Sequence, residues 1–197
     1  MRADSDLPPA RRANFIACDR VLPRLVLPAL APVAPVLVEF KPELTRYGAK
    51  LLSGSELGMP VHAGTFLRER RMVLESALLG RSAELRRILI HELFHFVWMR
   101  LGNARRRDWA SLLAAELANK ARGELGWSAE SRKIDLTAVD SRTGTLRWRE
   151  YVCESFCDTA AWRHAGLAKH EEYTLARRWR NGRVQYFDGI EARALAL

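Results

Sequence analysis

The chain has no apolar run of the roughly 18 residues that a membrane-spanning helix needs. Its longest candidate, residues 25–38, is broken by Pro28, Pro32 and Pro35. A secretory leader is not expected either, because the apolar stretch begins late, carries prolines and lacks a small-x-small cleavage pattern. The sequence therefore reads as cytoplasmic, with no membrane partner. Cysteine is scarce: Cys18, Cys153 and Cys157 are an odd, small set that excludes a disulfide framework. Cys153 and Cys157 lie four apart in an expected helix and read as buried free thiols. There is no internal repeat and no low-complexity segment. The aromatic pattern of an RNP-type RNA binder is missing, as is a helix-turn-helix signature.

Hydrophobic residues make up 48% of the 197 and charged residues 28%, enough apolar content for a packed core. That length favours one domain over residues 1–197, with a flexible start at 1–20. The net charge is +9, which allows nucleic acid as a partner. The arginines, however, fall in separate clusters: Arg68, Arg70 and Arg71; Arg86 and Arg87; Arg105 to Arg107; and Arg177, Arg178, Arg180 and Arg183. Solvated faces are the plainer reading of that spread. A basic nucleic-acid-associated protein remains the alternative, and it requires these clusters to form one continuous face.

The expected organisation is α+β and helix-rich. Proline density in residues 21–40 rules out a continuous helix or a central strand and leaves room for an edge strand at 36–40. Gly54, Gly58, Pro60 and Gly64 mark a loop over 53–64. Residues 64–74 have the composition of one or two strands. A helix should follow over 83–101, capped by Ser82 and ended by Gly102. Arg105 to Arg107 read as a connector, and Asp108 as the cap of a second helix over 109–122. Residues 123–144 are looser. A third helix is expected over 146–164, ending at Gly166, and the tail from 168 should start helical and become irregular near Asn181 and Gly182.

The chemistry is concentrated in His91-Glu92-Leu93-Phe94-His95, an HExxH pattern inside the first apolar helix. Residues four apart share a helix face, so both imidazoles can reach one metal ion. Glu92 sits about 100° round from His91, beside the water that metal-assisted hydrolysis activates. Polar groups in so apolar a helix are costly unless a metal or hydrogen bonds satisfy them. Zinc, Zn2+, suits two imidazoles and a carboxylate, and a catalytic site needs a third protein ligand. A third histidine in the short metzincin spacing would fall at Leu101, and the only upstream cysteine, Cys18, is in a poor context. A later helix supplies Glu154 and Asp158, four apart on one face. Glu154 can then ligate while Asp158 accepts the outer N–H of His91. Glu150, one turn earlier, and the thiols Cys153 and Cys157 stay open as alternatives for the third ligand.

His91-Glu92-x-x-His95 with Glu154-x-x-x-Asp158 resembles the gluzincin branch of the zincin metallopeptidases. The stretch Glu154-Ser155-Phe156-Cys157-Asp158-Thr159-Ala160-Ala161 is also similar to the ligand-bearing helix of ImmA/IrrE-type metallopeptidases, although Cys157 and Ala160 depart from that pattern. The resemblance covers two helices. It implies a minimal zincin-like domain, with a small sheet packed against the HExxH helix and a second ligand-bearing helix. It also implies His91, His95 and Glu154 as zinc ligands, Glu92 as general base and Asp158 as the partner that orients His91. The expected substrate is a peptide or protein. Residues 72–74 are the expected substrate-pairing strand. Tyr151, His164, His170, Tyr173, Tyr186 and the C-terminal arginines are candidates for oxyanion stabilisation. A zincin-like binding or regulatory module with little or no activity is the competing reading; the oligomeric state is open.

Overall fold

Apolar residues occur all round the helix expected over 83–101, and a helix of that kind has to be covered on more than one side. In the computed structural model, which describes residues 25, 27–31 and 34–197, this helix is α1 (Ser82–Arg100). The expected flexible start and Cys18 lie outside the described residues. Leu85, Ile88, Leu89 and Phe96 pack against Met72, Leu74 and Leu78. Ile90, Phe94 and Val97 turn to a second and larger cluster that contains Trp109, Phe156, Cys157, Ala160 and Phe187. α1 is thus sandwiched between a small sheet and a layer of helices, and the protein is α+β and helix-rich.

Eight strands are present among the described residues: β1 (Leu30–Ala31), β2 (Leu37–Lys41), β3 (Leu44–Tyr47), β4 (Lys50–Ser53), β5 (Met59–Pro60), β6 (Ala63–Phe66), β7 (Arg71–Glu75) and β8 (Leu195–Ala196). The sheet behind α1 has the order β2-β7-β6, with β2 parallel and β6 antiparallel to β7. β2 is the edge strand expected near 36–40. β7 is central and its Met72, Val73 and Leu74 are buried, so the strand expected to pair with substrate is an interior one. The other edge of the sheet, the one that borders the cleft described below, is β6. A separate antiparallel sheet, β4-β3-β5, occupies part of the stretch read as loop, and β1 pairs in parallel with β8.

The helices after α1 are α2 (Asn103–Ala118), α3 (Trp127–Lys133), α4 (Ala138–Thr143), α5 (Leu146–His164) and α6 (Arg177–Glu191). α5 has the expected bounds, and its cap is the Thr145 hydroxyl, which accepts from the Trp148 N–H. Other boundaries differ. Gly102 is extended (φ −60°, ψ 152°) and serves as the N-cap of α2 rather than ending α1 in a left-handed turn. Arg105 to Arg107 are therefore helical, in keeping with the good helix propensity of arginine. Ser82 is the first helical residue of α1, not its cap. The looser stretch holds α3 and α4, the latter opened by a Thr137–Asp140 capping box. α6 runs straight through Asn181 and Gly182, because burial of Arg183, Phe187 and Ile190 outweighs the glycine's propensity cost. No described helix is long and apolar enough to cross a membrane.

Arg183 of α6 is fully buried and is the hub of a charge network. Its guanidinium donates to Glu116 of α2 at 2.7 Å and to Glu124, in the connector after α2, at 2.7 Å. Glu124 also accepts from the Tyr151 hydroxyl of α5 at 2.6 Å and from Lys133 of α3 at 2.9 Å. Burial alone would raise the pKa of the Glu124 carboxyl, but Arg183 and Lys133 hold it down at about 2 against an ordinary 4.5. Replacing Arg183 with Met leaves two buried carboxylates without their shared cation. It should cost about 3–5 kcal/mol in urea denaturation, against under about 0.5 kcal/mol for Arg177→Met on the surface. A depressed carboxylate pKa contributes stability that is complete above the unfolded value and lost as protons bind. The Glu124 contribution should therefore be intact above pH 4.5 and disappear as the pH falls towards 2, which an acid titration of the denaturation midpoint will register.

Candidate metal centre

His91 and His95 are one helical turn apart on α1, their rings 5.0 Å between centroids and nearly perpendicular. Opposite them, α5 presents Glu154. Its Oε2 lies 3.2 Å from His91 Nε2 and 3.9 Å from His95 Nε2. The three donor atoms sit within 4.8 Å of one another. Nitrogen and oxygen donors about 2.0–2.1 Å from a tetrahedral ion stand about 3.3 Å apart, so this set fits a small divalent cation. The other carboxylate oxygen of Glu154 meets the Arg132 guanidinium of α3 at 3.3 Å, which leaves Oε2 turned to the imidazoles. Burial would raise the Glu154 pKa, yet His91, His95 and Arg132 together hold it at about 2.

Asp158 lies where expected. Its Oδ1 is 2.7 Å from His91 Nδ1, and its Oδ2 accepts from the Ala129 N–H at 2.8 Å. A carboxylate on Nδ1 keeps the proton there and leaves Nε2 as the ligating atom. Burial works against a charged His91, but Asp158 and Glu154 outweigh it, so the metal-free imidazole titrates well above its usual 6.5. An incoming cation has to displace that proton. Glu92 points into the same cleft, and the Thr65 hydroxyl of β6 donates to its carboxylate at 2.5 Å.

Of the alternatives for the third ligand, Glu150 is exposed and takes no part in the cluster. The two thiols lie on the far side of His95. Its Nδ1 is 3.6 Å from Cys153 Sγ and 3.5 Å from Cys157 Sγ, whereas its Nε2 faces Glu154. A hydrogen bond from Cys157, helped by His95, brings the Cys153 thiol down to about 6. Burial pushes Cys157 well up.

The cleft over the site measures about 690 Å³. Ala63, Gly64 and Thr65 of β6 form one wall, with Met59 and Trp127 exposed at its rim. None of the expected oxyanion stabilisers lines it. Tyr151 is bonded to Glu124, His164 to Glu191, His170 to Glu84 and Tyr186 to the Arg105 carbonyl, and Tyr173 is buried. Among the C-terminal arginines, Arg183 is internal and Arg180 donates to the Leu175 and Tyr173 carbonyls. Besides His91 and His95, the basic residues in the cleft are Arg46, His62, Arg87 and Arg132. Arg87 is tied to Glu84 and Glu172, while His62 is bonded to Glu75 at 2.7 Å. Thr65 and Arg132 carry no motif and no spacing signal, so only the fold brings them to the site. Within the 177–183 cluster Arg183 is buried and Arg180 donates to backbone carbonyls, while Arg177 and Arg178 are exposed.

Gly126 is in contact with Asp158, and a Cβ at that position would overlap the carboxylate. Gly126→Ala should therefore displace the support of His91, and Asp158→Asn should weaken it with almost no change of shape. Both should bind a divalent metal about 10–100-fold more weakly than the parent. Calorimetric titration measures this, and an unchanged far-UV spectrum for Asp158→Asn shows that the loss is not unfolding.

No family model matches the chain, and no curated protein or solved structure matches it either.

Proposed function

We propose that the protein is a zinc-dependent peptidase of the zincin type, with the gluzincin ligand set His91, His95 and Glu154. The observation that carries this reading is the shared cleft: the three donor atoms and the Glu92 carboxylate open onto the same space. A purely structural metal site needs no free carboxylate beside it, and this one is held in place by a hydroxyl.

Zinc, when bound, supplies a Lewis acid that lowers the pKa of water and polarises a carbonyl. The remaining work belongs to the protein. Glu92 takes the proton of the attacking water on its carboxylate and returns it to the leaving amine. Thr65 donates to that carboxylate and restricts its rotation. Asp158 keeps the His91 proton on Nδ1 throughout. Arg132 fixes the orientation of Glu154, and as a guanidinium lining the cleft beside the ligand set it is the candidate donor to a developing oxyanion. The free edge of β6 offers backbone groups to an extended peptide, which favours a peptide or protein substrate bound by strand addition. The corresponding surface of β7 is covered by β2 and β6 and is not available for this.

Glu92→Gln should reduce hydrolysis of a quenched-fluorophore peptide library by about 10²–10⁴-fold while keeping its zinc, determined by elemental analysis. Glu154→Ala should lose zinc and activity together. Full activity in the Glu92→Gln protein would sink the peptidase reading. Zinc retained at parental affinity in Glu154→Ala would sink the ligand assignment.

A further inference from the structure

The unusual element of the site is the pair of thiols behind His95. Cys153 and Cys157 are one turn apart on α5, and both sulfurs converge on His95 Nδ1, at 3.6 and 3.5 Å. All three donor atoms lie within 4.8 Å of one another. An ion about 2.0–2.1 Å from nitrogen and 2.3 Å from sulfur, at trigonal to tetrahedral angles, separates those donors by about 3.6–3.8 Å. The observed nitrogen–sulfur distances sit at or just below the short end of that range, so a small ion fits with almost no movement and a larger one such as Cd2+ requires the donors to spread slightly. By contrast, orienting a ligating histidine takes only one acceptor on its outer nitrogen, as Asp158 provides for His91. Two sulfurs at metal spacing exceed that requirement.

We propose that His95 Nδ1, Cys153 and Cys157 form a second metal site, selective for a thiophilic cation such as Cd2+ or Cu+. Soft thiolate donors favour such ions, whereas the carboxylate-containing set on the other side of His95 favours harder ones. The metal binds both cysteines as thiolates and takes a lone pair from Nδ1; any proton on the sulfurs passes to solvent, and the imidazole keeps its one proton on the other nitrogen. No electron is transferred. A neutral imidazole has one ring nitrogen protonated and one free to ligate. When Nδ1 is metal-bound, the remaining proton resides on Nε2, the atom that faces Glu154. The two sites therefore share one lone pair: filling the thiol site withdraws His95 from the His91–His95–Glu154 set. A soft ion would act on the cleft from behind, without entering it. The second site requires neither Glu92 nor peptidase activity.

Reduced, metal-free protein titrated with Cd2+ alone under anaerobic conditions tests this. The wild type and a Cys18→Ser control should both develop thiolate-to-cadmium charge-transfer absorption saturating at one ion per chain, and Cys153→Ser/Cys157→Ser should lose it. Because the double variant alters a buried position, X-ray absorption of the cadmium-loaded Cys18→Ser protein provides a measurement independent of it, with two sulfurs and at least one nitrogen expected around the metal. A shell of oxygen and nitrogen only, or absorption that survives in the double variant, overturns the site. Glu154→Ala should keep the cadmium–sulfur signal while losing zinc, so this inference and the peptidase reading fail separately. Cu+ added to the zinc-loaded protein should release zinc from wild type and not from the double cysteine variant. Zinc fully retained with the thiol site occupied overturns the shared-lone-pair coupling.

Discussion

Asp158 is where folding and chemistry meet. It is almost completely buried on α5, and each carboxylate oxygen serves a different helix. One holds the imidazole of His91 on α1, and the other accepts the Ala129 N–H in the first turn of α3. α3 begins after Gly126, which has no side chain with which to cap it. The first-turn N–H groups of a helix need acceptors, and here they come from outside: Asp158 for Ala129 and Glu172 for Trp127. The same negative charges suit the positive end of the helix dipole. α3 in turn carries Arg132 to Glu154. One carboxylate thus joins the orientation of one candidate metal ligand to the docking of the helix that orients another.

The Arg183 network supports this arrangement from below. Glu124 belongs to the connector that leads into Gly126 and α3, and Arg183, Lys133 and Tyr151 anchor it. A buried ion pair is weak evidence for stability, since desolvation offsets much of the attraction. What this network fixes is position: it holds the connector against α5, so that the Ala129 N–H arrives at Asp158. Apolar packing between Phe94, Phe156 and Phe187 joins α1, α5 and α6 over the same region, with Phe156 and Phe187 stacked at 5.0 Å.

Much of the site was legible in the sequence because it obeys local rules. Helical periodicity places His91 with His95 and Glu154 with Asp158 on common faces, and a histidine ligand calls for a partner on its outer nitrogen. Thr65 and Arg132 escape such rules. A threonine after a glycine and an arginine among polar residues reach the candidate site only when β6 and α3 close over α1, and no spacing encodes that closure. The misjudged strand has a similar cause. Met72 to Leu74 is apolar and β-forming, yet apolarity on both faces marks a central strand, whereas β6, with its Gly-Thr sequence, is the edge. The helix boundaries that moved, at Gly102 and through Gly182, are positions where tertiary burial overrides local propensity. At Cys153 and Cys157 the helix spacing was plain, but which nitrogen of His95 they face is a property of the packed pair of helices.

The double coverage of α1 has a further consequence for how readily a metal ion could leave. Segments that open by local fluctuation are those with few buried contacts, and they release what they hold without global unfolding. α1 is packed against the sheet on one side and against α5 and the aromatic cluster on the other, so its backbone belongs to the last part of the protein to open. Both imidazoles are mounted on that segment. An ion held by them would therefore exchange through the mouth of the cleft with the scaffold intact, past the side chains of Glu154 and Arg132, rather than by the breathing of the fold.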